Sequence, residues 1–354
     1  MRYRIAIVVI LLLALGSVPG PGTLAVAAQA APAYLVTDLG TIGGDCFPAD
    51  INLRGQVVGT CRETTGSGEV YRAFLYRNGA MSPLGTLGGD YSYAYGISLA
   101  GEIAGDSATA GGLQHAFLWK NGAMTDIGTL GGDRSQANGI NSRGMVVGWS
   151  YPASGPCHAF LSENGVMTDI GTGDGWSIAT GINELGRVVG YYQSGGSTLP
   201  FLWFRGTATT LPTLGGGSNG ASRINLFGAI AGWSGDAGGV VHPVVFRGAV
   251  ITDLGTLGGT EGSAWGINDR GDVVGYSLTA GGARHAFLHH GGALHDLNDL
   301  IPPSTGIELM EAAGIDDLGR IVANGCSGGQ ITGSSCVGGQ IRAVLLRPEG
   351  GGLP

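Results

Sequence analysis

His115 stands eleven residues before Asp126, and the same interval separates His158 from Asp169, His242 from Asp253 and His285 from Asp296. An imidazole beside a carboxylate that orients it is the couple that general acid–base catalysis uses. A catalytic centre needs one such couple, so four at a fixed spacing point instead to a structural element that is itself repeated. Two further copies have lost both members together, Arg72 standing with Pro83 and Leu199 with Thr210. In the last copy Arg342 takes the His position, and its expected partner is Asp38, near the other end of the chain. The couples are read as staples within a repeated hairpin.

The segment His115 to Asp133, HAFLWKNGAMTDIGTLGGD, carries the repeat. GIN-like triplets end at Asn52, Ser98, Asn141, Asn183, Asn225, Asn268 and Asp316, and VVG-like triplets follow each of them. AFL-like triplets centre on Phe74, Phe117, Phe160, Phe201, Val244, Phe287 and Val344, and DLG-like triplets begin at Asp38, Pro83, Asp126, Asp169, Thr210, Asp253 and Asp296. Successive copies lie mostly about 41 to 48 residues apart, the period of four-stranded propeller blades.

Each unit reads as four short strands, here a (GIN), b (VVG), c (AFL) and d (DLG). Strands a and b meet at turns such as Asn141-Ser142-Arg143-Gly144, where Asn at the first place and Gly at the fourth suit a type I turn. Strands c and d meet at Asn78-Gly79, Asn121-Gly122 and Asn164-Gly165, which suit type I′, whereas Gly248-Ala249 fits type II′. Across such a two-residue turn Phe117 pairs with Asp126, which makes His115 a diagonal neighbour of Asp126 on the same face.

After its first thirty residues the chain opens on a d strand, Tyr34 to Leu39, and it closes on a c strand, Ile341 to Leu346. If the opening strand completes the last unit, the fold is an all-β, seven-bladed β-propeller of four antiparallel strands per blade, with no long open edge. The expected organisation is therefore a secretory signal peptide over 1–30, one propeller over 31–348 and a short flexible tail over 349–354. The signal-peptide reading rests on a basic start, the apolar run Ile5 to Leu15 and a small-residue A-x-A site at Ala28 to Ala30. No later stretch is long and apolar enough to span a bilayer.

Export predicts a secreted or extracellular protein, or a periplasmic one in a Gram-negative organism, and cysteine usage fits that compartment. Cys46 and Cys61 lie about equally far from the first a–b turn, and Cys326 and Cys336 flank a long b-to-c loop, so two disulfides are expected. Cys157 is left over and reads as a buried thiol. The formal charge is −8, and −10 once Arg2 and Arg4 are removed, with no basic cluster. That balance argues against nucleic acid and anionic membrane as partners.

The motifs HAFLW, DIGTLGG, GIN and VVG, recurring in fixed order from Tyr34 to about Arg347, resemble the HAF-repeat family of probable extracellular repeat proteins. The resemblance implies a secreted bacterial protein of propeller-like fold and brings no catalytic residue with it. Leu199-Pro200 and His242-Pro243 depart from the HAF tripeptide, which bears on the pairing of those c strands.

Functional residues are sought where loops crowd one face. Directly after the VVG-like triplet, four consecutive units carry Trp149, Tyr191, Trp233 and Tyr276, where the others carry Thr60, Asp106 and Asn324. An arc of flat amphipathic rings suits stacking on sugars or anchoring a protein, and inter-blade packing is the competing explanation. The d-to-a loops bring Asp45, Asp90 and Asp133, with Asp174 nearly matching, and such carboxylates suit either Ca²⁺ or turn chemistry, the simpler reading. His290 and His295 should share one hairpin face, a two-ligand arrangement for Zn²⁺ or Ni²⁺ without a third ligand in sight. No G-x-S-x-G, H-E-x-x-H or phosphate loop occurs. The expectation is a monomeric, non-enzymatic binding or scaffold module for an extracellular polysaccharide or protein, without a required cofactor. Its rival is a propeller hydrolase or lyase acting on extracellular polysaccharide, which requires two acids converging at the channel mouth. A third reading, a purely structural surface protein, predicts no concave pocket.

Overall fold

A computed structural model of the protein describes residues 31–66, 68–173 and 175–350. The segment 1–30 read as a signal peptide, Asp174 and the tail residues 351–354 lie outside the described residues. Among the described residues the regular structure is β apart from two short 3-10 turns, Leu297–Leu300 and Pro303–Thr305. None of its helices is long and apolar enough to cross a membrane.

The a, b, c and d segments form four-stranded antiparallel sheets in sequence order, as in Gly131–Ile140, Val146–Pro152, His158–Glu163 and Val166–Asp169. One sheet departs from sequence order. Its a, b and c strands, Ile307–Ile315, Ile321–Ser327 and Gln340–Pro348, are joined by Tyr34–Asp38 from the start of the chain, in register from Tyr34 opposite Pro348 to Asp38 opposite Val344. A single parallel bridge, Val241 to Glu261, links two neighbouring sheets. The arrangement is propeller-like.

Turn residues explain where the strands stop. At the a–b turn, Asn141 Oδ1 accepts from the backbone N–H groups of Arg143 and Met145, both at 3.1 Å, while the N–H of Gly144 donates to the Asn141 carbonyl at 3.0 Å. The same Asn side chain then reaches out of its sheet. Asn141 Nδ2 donates to the carbonyl of Asn183 at 3.1 Å, Asn183 to Asn225 at 3.0 Å, Asn225 to Asn268 at 2.9 Å and Asn268 to Asp316 at 3.1 Å. Asp316 has no amide to donate. Arg320, anchored on the Asp316 carboxylate at 2.6 Å, donates instead to the carbonyl of Leu53 at 2.9 Å, and Asn52 donates onward to Ser98 at 2.9 Å. At the c–d turn Asn121 and Gly122 have φ of 54° and 85°, and Gly248 has φ of 61°.

The core lies between sheets and not within one sheet. The AFL-centre residues Phe74, Phe117, Phe160, Phe201, Val244, Phe287 and Val344 are fully buried, each in a cluster that straddles two neighbouring sheets. One cluster joins Cys46, Val57 and Phe74 near the start of the chain to Val322, Ala343 and Leu345 near its end. Burial of such a side chain is worth about 1.5 to 3 kcal/mol, so each sheet depends on its neighbour.

Two prolines sit in c strands without interrupting them: Pro200 pairs with Tyr191 and Pro243 with Trp233. The reason is that this N–H does not serve the ladder. In regular units it leaves the sheet, Ala73 donating to Ser92 Oγ at 3.1 Å and Ala116 to Ser135 Oγ at 2.9 Å. Where Pro243 removes the donor, Gly262 stands in the serine's place, and a Cβ there would lie 2.9 Å from Pro243 Cδ.

His115 Nδ1 lies 2.7 Å from Asp126 Oδ2, His158 Nδ1 2.7 Å from Asp169 Oδ2, His285 Nδ1 2.6 Å from Asp296 Oδ2 and His242 Nδ1 3.0 Å from Asp253 Oδ1. Each Asp also caps the turn that leaves strand d, as Asp126 Oδ1 accepts from Gly128 N–H at 2.7 Å. The expected Asp38–Arg342 couple is not formed. Asp38 caps its own turn, accepting from Gly40 N–H at 2.8 Å, and Arg342 turns to the Gln340 side chain at 2.8 Å. Asp38 is exposed, and a long flexible guanidinium gains little from a solvent-screened carboxylate.

Cys46 lies opposite Cys61 in the first a–b pairing and is disulfide-bonded to it. The second disulfide, Cys326–Cys336, ties a b strand to a small hairpin, Gln330–Thr332 and Ser335–Val337. Sequence reading treated that hairpin as plain loop.

Candidate functional site

Where the a strands converge, their Gly residues let neighbouring backbones approach. A Cβ on Gly139 would lie 3.3 Å from Gly181 Cα, and one on Gly266 would lie 3.2 Å from Gly314 Cα. The Gly is the first residue of the GIN-like triplet, and in two units it is replaced by Asp50 and Arg223. Arg223 crosses the convergence point, donating to the carbonyls of Thr180 at 2.6 Å and Tyr95 at 3.0 Å. Asp50 is held by the N–H groups of Ile51 at 2.9 Å and Ile97 at 3.1 Å. Burial pushes the Asp50 carboxyl up, against the opposing pull of Arg223. Sequence reading missed both residues, although the exceptions to a repeated Gly were the signal.

Above Arg223 opens a cup of about 520 Å³, lined by Tyr95, Trp149, Tyr191, Trp233 and Trp265, with Gln136, Asn138, Thr180 and Ser222 between them. Trp149, Tyr191 and Trp233 stand on b strands, as expected. Each lies opposite an a-strand residue, Gln136, Ile178 and Gly220 respectively, and at Gly220 the missing side chain makes room for the ring. A Cβ on Gly220 would fall 2.3 Å from the Trp233 ring. The rings meet edge to face, Trp176 with Tyr191 at 5.7 Å between centroids and Tyr191 with Trp233 at 5.1 Å. That geometry pairs the positive edge of one ring with the negative face of the next.

Tyr276, the fourth member of the expected arc, does not line the cup. It is 8% exposed, donates to Glu261 Oε1 at 2.5 Å and carries the Arg284 guanidinium 3.4 Å above its ring centre. Trp265, from the adjacent a strand, takes the place in the cup and packs on Tyr276 at 5.1 Å. Tyr95 and Trp265 share one register position two residues before the Ile of the triplet, a position that sequence reading did not single out.

The carboxylates proposed for Ca²⁺ do not surround this mouth either. Asp45 is ion-paired with Arg62 and accepts from Ile341 N–H at 2.9 Å; Asp90 lines a separate cleft; Asp133 is exposed. None of the three lines the cup. No Asp, Glu or His among the described residues lines the cup. His290 is engaged by Asp272, Nδ1 to Oδ1 at 2.6 Å, and the described residues hold no group of three metal-binding side chains. Cys157, expected to be a buried thiol, is only partly buried, and that burial pushes it up, away from the reactive thiolate.

No protein-family model matches this chain, and no curated protein does. Solved structures match it in shape. TolB from Acinetobacter baumannii aligns at 12% identity over 84% of this chain and 64% of its own, with a TM-score of 0.48. The β-propeller domain of the Trilobed protease from Pyrococcus furiosus, described as having an open velcro topology, aligns at 10% identity over 88% and 95%, with a TM-score of 0.57. A puromycin-hydrolyzing peptidase from Mycobacterium tuberculosis aligns at 11% over 79% and 49%, with a TM-score of 0.52. This chain thus spans less than two thirds of TolB and about half of the peptidase. The likeness to the protease domain defines the class: an all-β protein of propeller fold. At such identity the fold is what is shared.

Proposed function

We propose that the chain is a secreted, seven-bladed propeller of the HAF-repeat type whose last blade is completed by its first strand. We further propose that it works as a binding module, taking an extracellular polysaccharide in the cup. The pairing of Tyr34–Asp38 with Gln340–Pro348, and the Arg320 hydrogen bond back to Leu53, support closure. Two disulfides support an oxidising compartment.

The observation that carries the binding reading is the lining of the cup. Five aromatic rings offer apolar surface to a pyranose, and between them the Ser222 hydroxyl has no partner within the protein, whereas Asn138 and Thr180 already donate to the carbonyls of Ala179 and Ala221. A hydrolase or lyase would need paired acids there, and the described lining residues include none.

The test is a glycan-binding and thermal-shift screen of the mature protein with and without Ca²⁺, repeated on a Trp149→Ala, Trp233→Ala double variant. Saturable glycan binding lost in a double variant that still melts cooperatively is the expected result. Binding that survives the double substitution refutes the cup as the site.

A further inference from the structure

A second cleft, of about 410 Å³, opens beside the cup and shares only Tyr95 with it. Its walls carry four tyrosines. Tyr71 and Tyr93 are stacked with ring centroids 5.2 Å apart, Tyr93 and Tyr95 are parallel at 6.2 Å, and Tyr91 meets Tyr93 edge to face at 5.7 Å. Its ionisable lining is otherwise acidic, comprising Glu69, Asp90 and Asp106, with no Lys, Arg or His. Glu69 is ion-paired with Arg62 at 3.3 Å and Arg72 donates to the Asp90 backbone carbonyl, whereas among the described residues no ion pair engages the carboxylate of Asp90 or Asp106.

Asp106 occupies the register position that holds Trp149, Tyr191 or Trp233 in other sheets, and it is fully buried opposite Tyr93. Gln114 Nε2 donates to Oδ2 at 3.1 Å and the Tyr95 phenol lies close enough to favour the charged carboxylate, yet Oδ1 has no well-formed hydrogen bond. A buried carboxylate oxygen without a partner is destabilising, because nothing replaces the water it gave up. A polar group left in that state at the floor of a cleft marks where a missing partner belongs.

We propose that this cleft binds a small organic ammonium ion, held over the tyrosine faces and neutralised by Asp106. Tyrosine rings present a negative face that attracts a cation, and the surrounding carboxylates add to that field and repel anions. A quaternary or alkylammonium group also sheds its hydration more readily than a metal ion, which suits walls built mainly of rings. Titration is consistent with this occupant: burial pushes the Asp106 carboxyl up to about 7, against the opposing hydrogen bonds of Tyr95 and Gln114. The groups facing it are Tyr91, Tyr93 and Tyr95 with Asp90 on the a strand, Gln114 on the c strand, Gln136 on the next a strand, and Tyr71 with Glu69 on the preceding sheet. The phenols of Tyr91, Tyr93 and Tyr95 are pushed up by burial and stay neutral, so Asp106 alone sets the pH response near neutrality.

Isothermal titration with choline chloride, against its uncharged isostere 3,3-dimethylbutan-1-ol, tests the proposal. Choline should bind saturably and the alcohol should not. Because choline does not titrate, its affinity should fall roughly tenfold between pH 8 and pH 6 as Asp106 takes up its proton. Asp106→Asn should weaken binding at least about tenfold, and Tyr93→Leu, which leaves the carboxylate in place, provides the same test should the first variant not fold. No heat from choline at millimolar concentration, equal binding of the alcohol, or saturation by methyl glucoside in place of choline would overturn it. The Trp149→Ala, Trp233→Ala variant should bind choline unchanged, which separates this site from the cup.

Discussion

Replacing Asp106 by Asn should make the protein more resistant to unfolding as the pH rises. The carboxyl is fully buried, its charge favoured only by the nearby Tyr95 phenol and by Gln114 at 3.1 Å, and Oδ1 has no well-formed hydrogen bond. Burial raises it from an ordinary 3.8 to about 7 in the folded protein. Between these values the unfolded chain releases its proton and the native protein retains it, so native stability falls as pH rises through that window and levels off above about 7. Relative to a group that stays neutral, the buried charge costs roughly 4 kcal/mol at pH 8, about 1.5 kcal/mol at pH 5 and almost nothing at pH 3. Asparagine keeps the shape and the Gln114 contact, but its own N–H offsets about 1 to 3 kcal/mol of the gain at every pH. The pH-dependent part is therefore diagnostic. Urea unfolding of parent and variant at pH 5 and pH 8 should show the variant gaining on the parent by about 2.5 kcal/mol between the two conditions. A difference that does not change with pH refutes the assignment of a buried Asp106 whose burial keeps it protonated to higher pH than in the unfolded chain. The same substitution should remove the proposed ammonium site, so stability and binding would move in opposite directions.

Two further expectations concern the contacts between sheets. Gly262→Ser alone should destabilise by roughly 1 to 3 kcal/mol, because its Cβ meets Pro243 Cδ and its hydroxyl finds no N–H. Pro243→Ala with Gly262→Ser should recover most of that loss by rebuilding the bond that Ala116 makes to Ser135, and simple additivity in the double-mutant cycle would contradict the geometry. Asn183→Ala removes two turn-closing bonds, to Leu185 and Arg187 N–H, and the donor to Asn225, and should cost about 2 to 4 kcal/mol in urea unfolding. A loss below about 0.5 kcal/mol would mean that the inter-sheet Asn bonds are incidental to stability.

Much of the strand architecture could be read from local chemistry. Asn-Gly at a c–d turn demands two positive φ angles, and that turn alone places Phe117 opposite Asp126 and brings His115 next to the carboxylate. Cys46 and Cys61 were legible for a similar reason, since equal distances from one turn make them opposite. The Asp38–Arg342 couple failed because register brings two residues near each other without deciding which neighbour a flexible exposed side chain prefers. Gln340 and the backbone of Gly40 were nearer competitors.

The aromatic arc was half legible. Its repeat position identified Trp149, Tyr191 and Trp233, but repeat position cannot report what fills the space in front of a ring. Tyr276 is covered because Arg284 and Glu261 lie against it, while Trp265 and Tyr95 enter the cup from a different strand. The tyrosine cleft and the Arg223 crossing were hidden for the same reason. Each joins residues from different sheets, such as Arg223 with the Tyr95 carbonyl 128 positions away.

Sequence by itself determined the units of this protein: turn types, the c–d register, the facing cysteines and the repetition that makes four-stranded sheets. These follow from contacts within a few residues, where backbone stereochemistry leaves few alternatives. The tertiary structure alone decided which rings reach the cup, which carboxylate is buried with an oxygen lacking a well-formed hydrogen bond, and which charged groups from separate sheets meet. Those outcomes depend on distances between separate sheets, and a repeat that is uniform along the chain does not encode them.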